Sequence, residues 1–130
     1  MYVKTQRKIC DVLDEDFQQY NHVPRATNLK NMQSRWKVTS AMQKAIRRGH
    51  VDIAQRMATA LVRGCPNYFW SRIAIIAMED VMFANLDLVA ETIYISSNKP
   101  FDKYPELELA GYITEKLAKS NKDRSASAVS

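Results

Sequence analysis

The chain has 130 residues, 46% of them hydrophobic and 25% charged, with a mean hydropathy of −0.37 and a formal net charge of +5. That length supports one ordinary hydrophobic core, and so polar a composition excludes an integral membrane protein. No apolar run reaches the roughly 18–20 residues that span a bilayer, and residues 1–8 lack the apolar stretch of a signal peptide, so a cytoplasmic protein with no membrane partner is expected.

In chain order, residues 2–20 place Ile9, Val12, Leu13, Phe17 and Tyr20 three and four apart, which predicts a first helix. Residues 21–35 hold Pro24, Arg25, Lys30 and Arg35 with little periodicity and read as a long basic loop. A second helix ends at Arg48 before Gly49, a residue that tolerates the positive φ of a helix C′ position. It starts either at Ser40, where Ser-x-x-Gln has capping-box form, or further back, where Trp36 and Val38 extend the apolar pattern. The third helix covers residues 51–63, with Asp52 early, Arg63 late and Gly64 after it, in agreement with the helix dipole at both ends.

Cys65-Pro66-Asn67 reads as a turn, and residues 68–84 as one uninterrupted fourth helix. Asn85 is placed to cap a fifth helix over residues 86–96. A loop with Pro100 follows, then a sixth helix with Pro105 at its first position, Glu106 and Glu108 early, and Lys116 and Lys119 late. From Ser120 a disordered tail is expected. No segment alternates with period two, so the expected fold is all-α, a single domain of about five to six helices arranged as hairpins. The expected layout is an N-terminal helix and basic loop over residues 1–35, a helical body over 36–119 and a tail over 120–130. Residues 50–54 and 85–89 echo each other at a 35-residue offset, read either as a repeat or as shared turn chemistry between helical hairpins.

Charge is unevenly distributed. Residues 44–72 hold six basic side chains and one acidic, whereas residues 73–115 hold two basic and eight acidic. Either the two segments neutralise each other inside the fold, or they present opposite faces, one attractive to phosphate and one to basic protein surface. The two cysteines, Cys10 and Cys65, form no CxxC and lie away from His22 and His50 at any metal-ligand spacing, so they are read as reduced, packed thiols.

Chemistry-bearing motifs are absent from the sequence. None of the three glycines lies in a phosphate-binding loop, and there is no His-Glu-x-x-His or Gly-x-Ser-x-Gly. The acidic run Asp14-Glu15-Asp16 points three ways from a helix and reads as a solvated face rather than a cation site. No enzymatic activity, cofactor or metal is expected.

Glu79 and Asp80 are the sharper feature. They interrupt Phe69, Trp70, Ile73, Ala74, Ile76, Ala77, Met78, Val81 and Met82, a helix so apolar that most of its circumference must be covered. A buried carboxylate needs a partner. Lys44, Arg47, Arg48 and Arg72 are the candidates, and the expected structural ion pair joins Arg47 or Arg48 to Glu79 or Asp80.

The runs Ser40-Ala41-Met42-Gln43-Lys44-Ala45-Ile46-Arg47, Asp52-Ile53-Ala54, and Ile73-Ala74 through Ala77-Met78-Glu79-Asp80-Val81 to Ala84, with Arg72, resemble the C-terminal helical region of the MgsA/RarA group of AAA+ ATPases. That family, related to clamp-loader subunits, acts at stalled replication forks. Its pattern reads Ser-Ala-Leu-x-Lys-Ser-x-Arg, then an Asp-x-Asp-Ala helix start, then Ile-Ala-Ser-Glu-Asp-Ile-Gly-Leu-Ala. The match spans less than half of this chain, the ATPase module is absent, Met78 replaces a small residue, and Met82-Phe83 replaces Gly-Leu. The resemblance implies a clamp-loader-collar-like fold serving oligomerisation and contacts with forks, DNA or replication proteins. A free-standing copy would be a small accessory or a virally encoded, phage-type mimic.

Two function classes follow. In the first, a replication or repair accessory contacts DNA, single-stranded or forked, through Arg25, Lys30, Arg35, Lys37, Lys44, Arg47, Arg48, Arg56 and Arg63, with Trp36, Tyr68 or Phe69 stacking on bases. In the second, an adaptor or homo-oligomer docks on a replication ATPase, a clamp-loader-like complex or a single-strand-binding protein through Met42, Met57, Met78, Met82 and Phe83. A helix-turn-helix regulator is a third reading, and it lacks a polar recognition face.

Overall fold

The computed structural model describes residues 32–123, with side chains from Arg35 onward. The predicted first helix, Arg25 and Lys30 lie outside the described residues. Five helices follow one another: α1 (Met32–Arg48), α2 (Val51–Gly64), α3 (Pro66–Ile76), α4 (Leu86–Asn98) and α5 (Glu106–Lys119). Between α3 and α4 the chain passes through a π-helical turn, Ala77–Val81, and a 3-10 turn, Met82–Ala84. The fold is all-helical, with no strand among the described residues. No helix among them is long and apolar enough to cross a membrane.

α2 is the central helix, packed most extensively against α1 and α5. Its inward residues include Ala54, Ala58, Thr59 and Ala60, small side chains that let its neighbours approach closely. Within that contact Gln55 Nε2 donates to the Gly111 carbonyl of α5 at 2.9 Å. Met42, Ile46, Leu61, Phe69, Trp70, Ile73, Ile76, Ile95, Leu109, Ile113 and Leu117 fill the interior. The Phe69 and Trp70 rings meet edge-on at 4.9 Å. The Trp70 indole nitrogen donates to Glu106 Oε2 at 2.9 Å, which meets the need of a buried N–H for a partner.

α1 stops at Gly49, which has φ +75°. The His50 N–H donates to the Ala45 carbonyl and the Gly49 N–H to the Ile46 carbonyl, the paired bonds of a Schellman motif. A Cβ on Gly49 would also stand 3.4 Å from the Ala118 carbonyl, so this turn abuts the end of α5. α4 is entered differently, with the Asn85 side chain accepting from Leu88 N at 3.1 Å. The 35-residue echo is therefore not built on a common turn.

Several boundaries differ from those expected. α1 begins at Met32, so the last residues of the expected basic loop, Arg35 included, are helical, and Ser40 is interior rather than a cap. Pro66 occupies the first turn of α3, where its missing N–H costs nothing, and the expected turn at 65–67 shrinks to Cys65. Pro105 is the N-cap of α5 rather than its first helical residue. The continuous helix over 68–84 is broken at Ala77 by an apolar stretch that changes hydrogen-bond register without any Gly or Pro. That break ends at Met82, whose φ of 34° lies where side chains are strained. Of the tail expected from Ser120, residues 120–123 are held against the body, the Asp123 N–H donating to the Asp80 carbonyl at 2.7 Å, and residues 124–130 lie outside the described residues.

Candidate nucleic-acid interface

α1 contains no acidic residue among its 17 positions. Thr39, Met42, Ala45 and Ile46 point into the core. The opposite face, at steps of seven and four residues, carries Lys37, Lys44 and Arg48, all exposed. No ion pair among the described residues engages any of the three. Trp36 extends the same side at 66% exposure. This face is a cationic ridge with an indole at one end, and the ridge from Lys37 to Arg48 is about 16 Å long at the helical rise.

The other candidate residues are placed differently. Arg35 is half-buried, with its guanidinium 5.7 Å from the centroid of the Tyr68 ring. This cation–π contact ties the start of α1 to the start of α3 and occupies one face of Tyr68. Phe69 is fully buried and is removed from the stacking candidates. Arg56 pairs with Asp52 one turn earlier on α2, so its charge is locally offset. Arg63 is exposed in the last turn of α2. Met42 is core and drops out of the expected adaptable surface, while Met78 and Phe83 are 37% and 63% exposed.

On its inner edge α1 presents Gln43 and Arg47, four residues apart, to the π-turn. Arg47 Nε donates to Asp80 Oδ1 at 3.3 Å, and Gln43 Nε2 reaches Asp80 Oδ2 at 3.3 Å and Glu79 Oε1 at 3.2 Å. Asp80 is completely buried, whereas the Arg47 side chain is 32% exposed. The cation that reaches the acidic pair is Arg47 and not Arg48, and Glu79 accepts from an amide rather than from a basic side chain. Arg72 pairs with neither carboxylate, and its Nε is buried without a partner. Lys122, whose ammonium donates to the Ala118 carbonyl at 3.0 Å and to that of Ser120, is drawn down in pKa by burial, with Asp80 pulling the other way.

Of the six basic residues in 44–72, Arg47 alone reaches an acidic residue in 73–115. The two segments therefore barely pair with each other, and Lys44, Arg48 and Arg63 of the first and Asp87, Asp102 and Glu108 of the second are exposed. Asp80 is sealed from solvent. Burial pushes the Cys65 thiol up, with Arg35 opposing, so it is not an activated thiolate. No three His, Cys, Asp or Glu side chains among the described residues converge as a metal site.

A second buried carboxylate escaped the sequence reading. Glu91 of α4, 2% exposed, accepts from Tyr112 Oη at 2.6 Å and Lys116 Nζ at 3.1 Å, both on α5. The signal was present, since Glu91 stands between Leu88-Val89-Ala90 and Thr92-Ile93-Tyr94-Ile95, as apolar a setting as that of Glu79 and Asp80. No protein-family model and no curated protein matches this chain.

Proposed function

We propose that this protein is a non-catalytic, DNA-binding accessory of replication or repair that uses the exposed face of α1. The observation that carries the reading is the acid-free ridge of Lys37, Lys44 and Arg48, with which no carboxylate among the described residues pairs. Such a ridge attracts a polyanion by counterion release, a driving force that needs no pocket. The replication context rests on the resemblance to the MgsA/RarA C-terminal region. One backbone detail supports it: Met82, at φ 34°, stands where that family's pattern has glycine, the residue suited to positive φ.

The test is a salt titration of fluorescent single-stranded and duplex DNA. Affinity should fall steeply with salt, and each neutralised residue among Lys37, Lys44 and Arg48 should lower the log–log slope by about 0.7–0.9. No binding at low salt, or binding unaffected by the triple glutamine variant, overturns the reading.

A partner-docking or self-associating module is the second reading. It is favoured by Phe83 and Leu86, 63% and 56% exposed on either side of the turn before α4, with Ile93 two turns further along the same face as Leu86. Light scattering on the purified chain and on Phe83→Ser decides whether this surface joins copies of the protein.

A further inference from the structure

We infer that the ligand of the α1 face is single-stranded nucleic acid, recognised by an unpaired base stacking on Trp36. This deepens the nucleic-acid reading and rests on it. The protein has two tryptophans, and they are treated in opposite ways. Trp70 is 1% exposed and hydrogen-bonded, whereas Trp36 is 66% exposed on a regular helix. An indole left in water forgoes a large burial gain, and here it stands on the same side of α1 as Ser40 and Lys44, one and two turns on.

The backbone beneath it is held firmly. Arg35, the preceding residue, packs over Tyr68, and its carbonyl accepts from Thr39 Oγ1 at 2.8 Å. Trp36 is thus an exposed indole on anchored helical backbone at the end of a cationic track, the combination that binds single strands through base faces and backbone phosphates together.

A duplex offers this face much less. Base faces are hidden in the stack, and reading base edges in a groove calls for side chains such as Asn, Gln or bidentate Arg. In the described part of this face, Trp36, Lys37, Ser40, Lys44 and Arg48, Arg48 is the one side chain of this kind and stands about three turns from Trp36, while Gln43 is engaged by Glu79 and Asp80. Against duplex DNA the lysines would make phosphate contacts and the indole none.

The full chain is titrated at one moderate salt concentration with three probes of equal length: oligo(dT), an abasic deoxyribose-phosphate oligomer, and a duplex. Oligo(dT) should bind roughly 5- to 150-fold more tightly than the abasic strand, the range given by one stacked base. It should also outcompete the duplex and quench the exposed Trp36 emission while leaving that of buried Trp70. Trp36→Ala should abolish the preference for bases without changing the salt slope, and Trp36→Phe should retain part of it. Equal affinity for oligo(dT) and the abasic strand, a duplex bound as tightly as oligo(dT), or a Trp36→Ala protein with its base preference intact overturns the inference and leaves the nucleic-acid reading standing. Failure to bind all three probes removes both.

Discussion

Asp80 and Glu91 are both carboxylates sealed inside an apolar helical body, yet they are built in different ways. Glu91 sits on an unbroken α-helix and draws both partners, Tyr112 and Lys116, from one neighbouring helix. Asp80 sits on a π-turn that ends in a strained residue; its carboxylate gathers α1 through Gln43 and Arg47, and its main-chain carbonyl takes the Asp123 N–H from the segment after α5. Glu91 fastens one helix pair. Asp80 joins three segments far apart in sequence, and its irregular backbone is the cost of reaching them.

The two sites should therefore respond unequally to substitution. Arg47→Ala should have the largest effect, because it removes the guanidinium from which a fully buried carboxylate accepts. A loss of about 3 kcal/mol is expected, a fall of roughly 10–20 °C in Tm by thermal denaturation. Asp80→Ala should cost less, about 2 kcal/mol, since the partly exposed Arg47 left behind can turn to water. An Asp80→Ala protein that melts with the native one would show that the lock holds nothing.

Glu91→Gln keeps an acceptor for Tyr112 and releases Lys116 towards solvent, so about 1 kcal/mol is expected in denaturant unfolding. A larger loss than that from Asp80→Ala would reverse the ranking of the two sites. Met82→Gly should act in the opposite direction and stabilise by up to about 1 kcal/mol, because relief of positive-φ strain exceeds the added entropy of glycine. If it destabilises, the π-turn is not strained and the contrast with Glu91 loses its backbone half.

The sequence made the helical class and most helix ends legible because their signals are local: Gly49 closing α1, Asp52 and Arg63 at the two ends of α2, Asn85 capping α4. The break at Ala77 was invisible for a physical reason. A π-turn needs one extra residue in the backbone register, and an all-round apolar stretch gives no phase against which the slip would show. The same apolar uniformity hid which aromatics face water, so Phe69 and Trp36 looked equally fit to stack although one is core and the other exposed. Arg56 could have been discounted from sequence, since Asp52 stands one helical turn before it. Glu91 was missed because its partners arrive from α5, and only the packing of α4 against α5 makes the pair.

The bond from the Asp123 N–H to the Asp80 carbonyl holds the segment after α5 against the π-turn. Asp80 also pairs with Arg47, so residue 123 lies one ion pair away from the cationic helix. A small neutral fluorophore attached at residue 123 would be well sited to report a ligand's arrival on α1, whereas an acidic label there would compete with a polyanion and depress apparent binding.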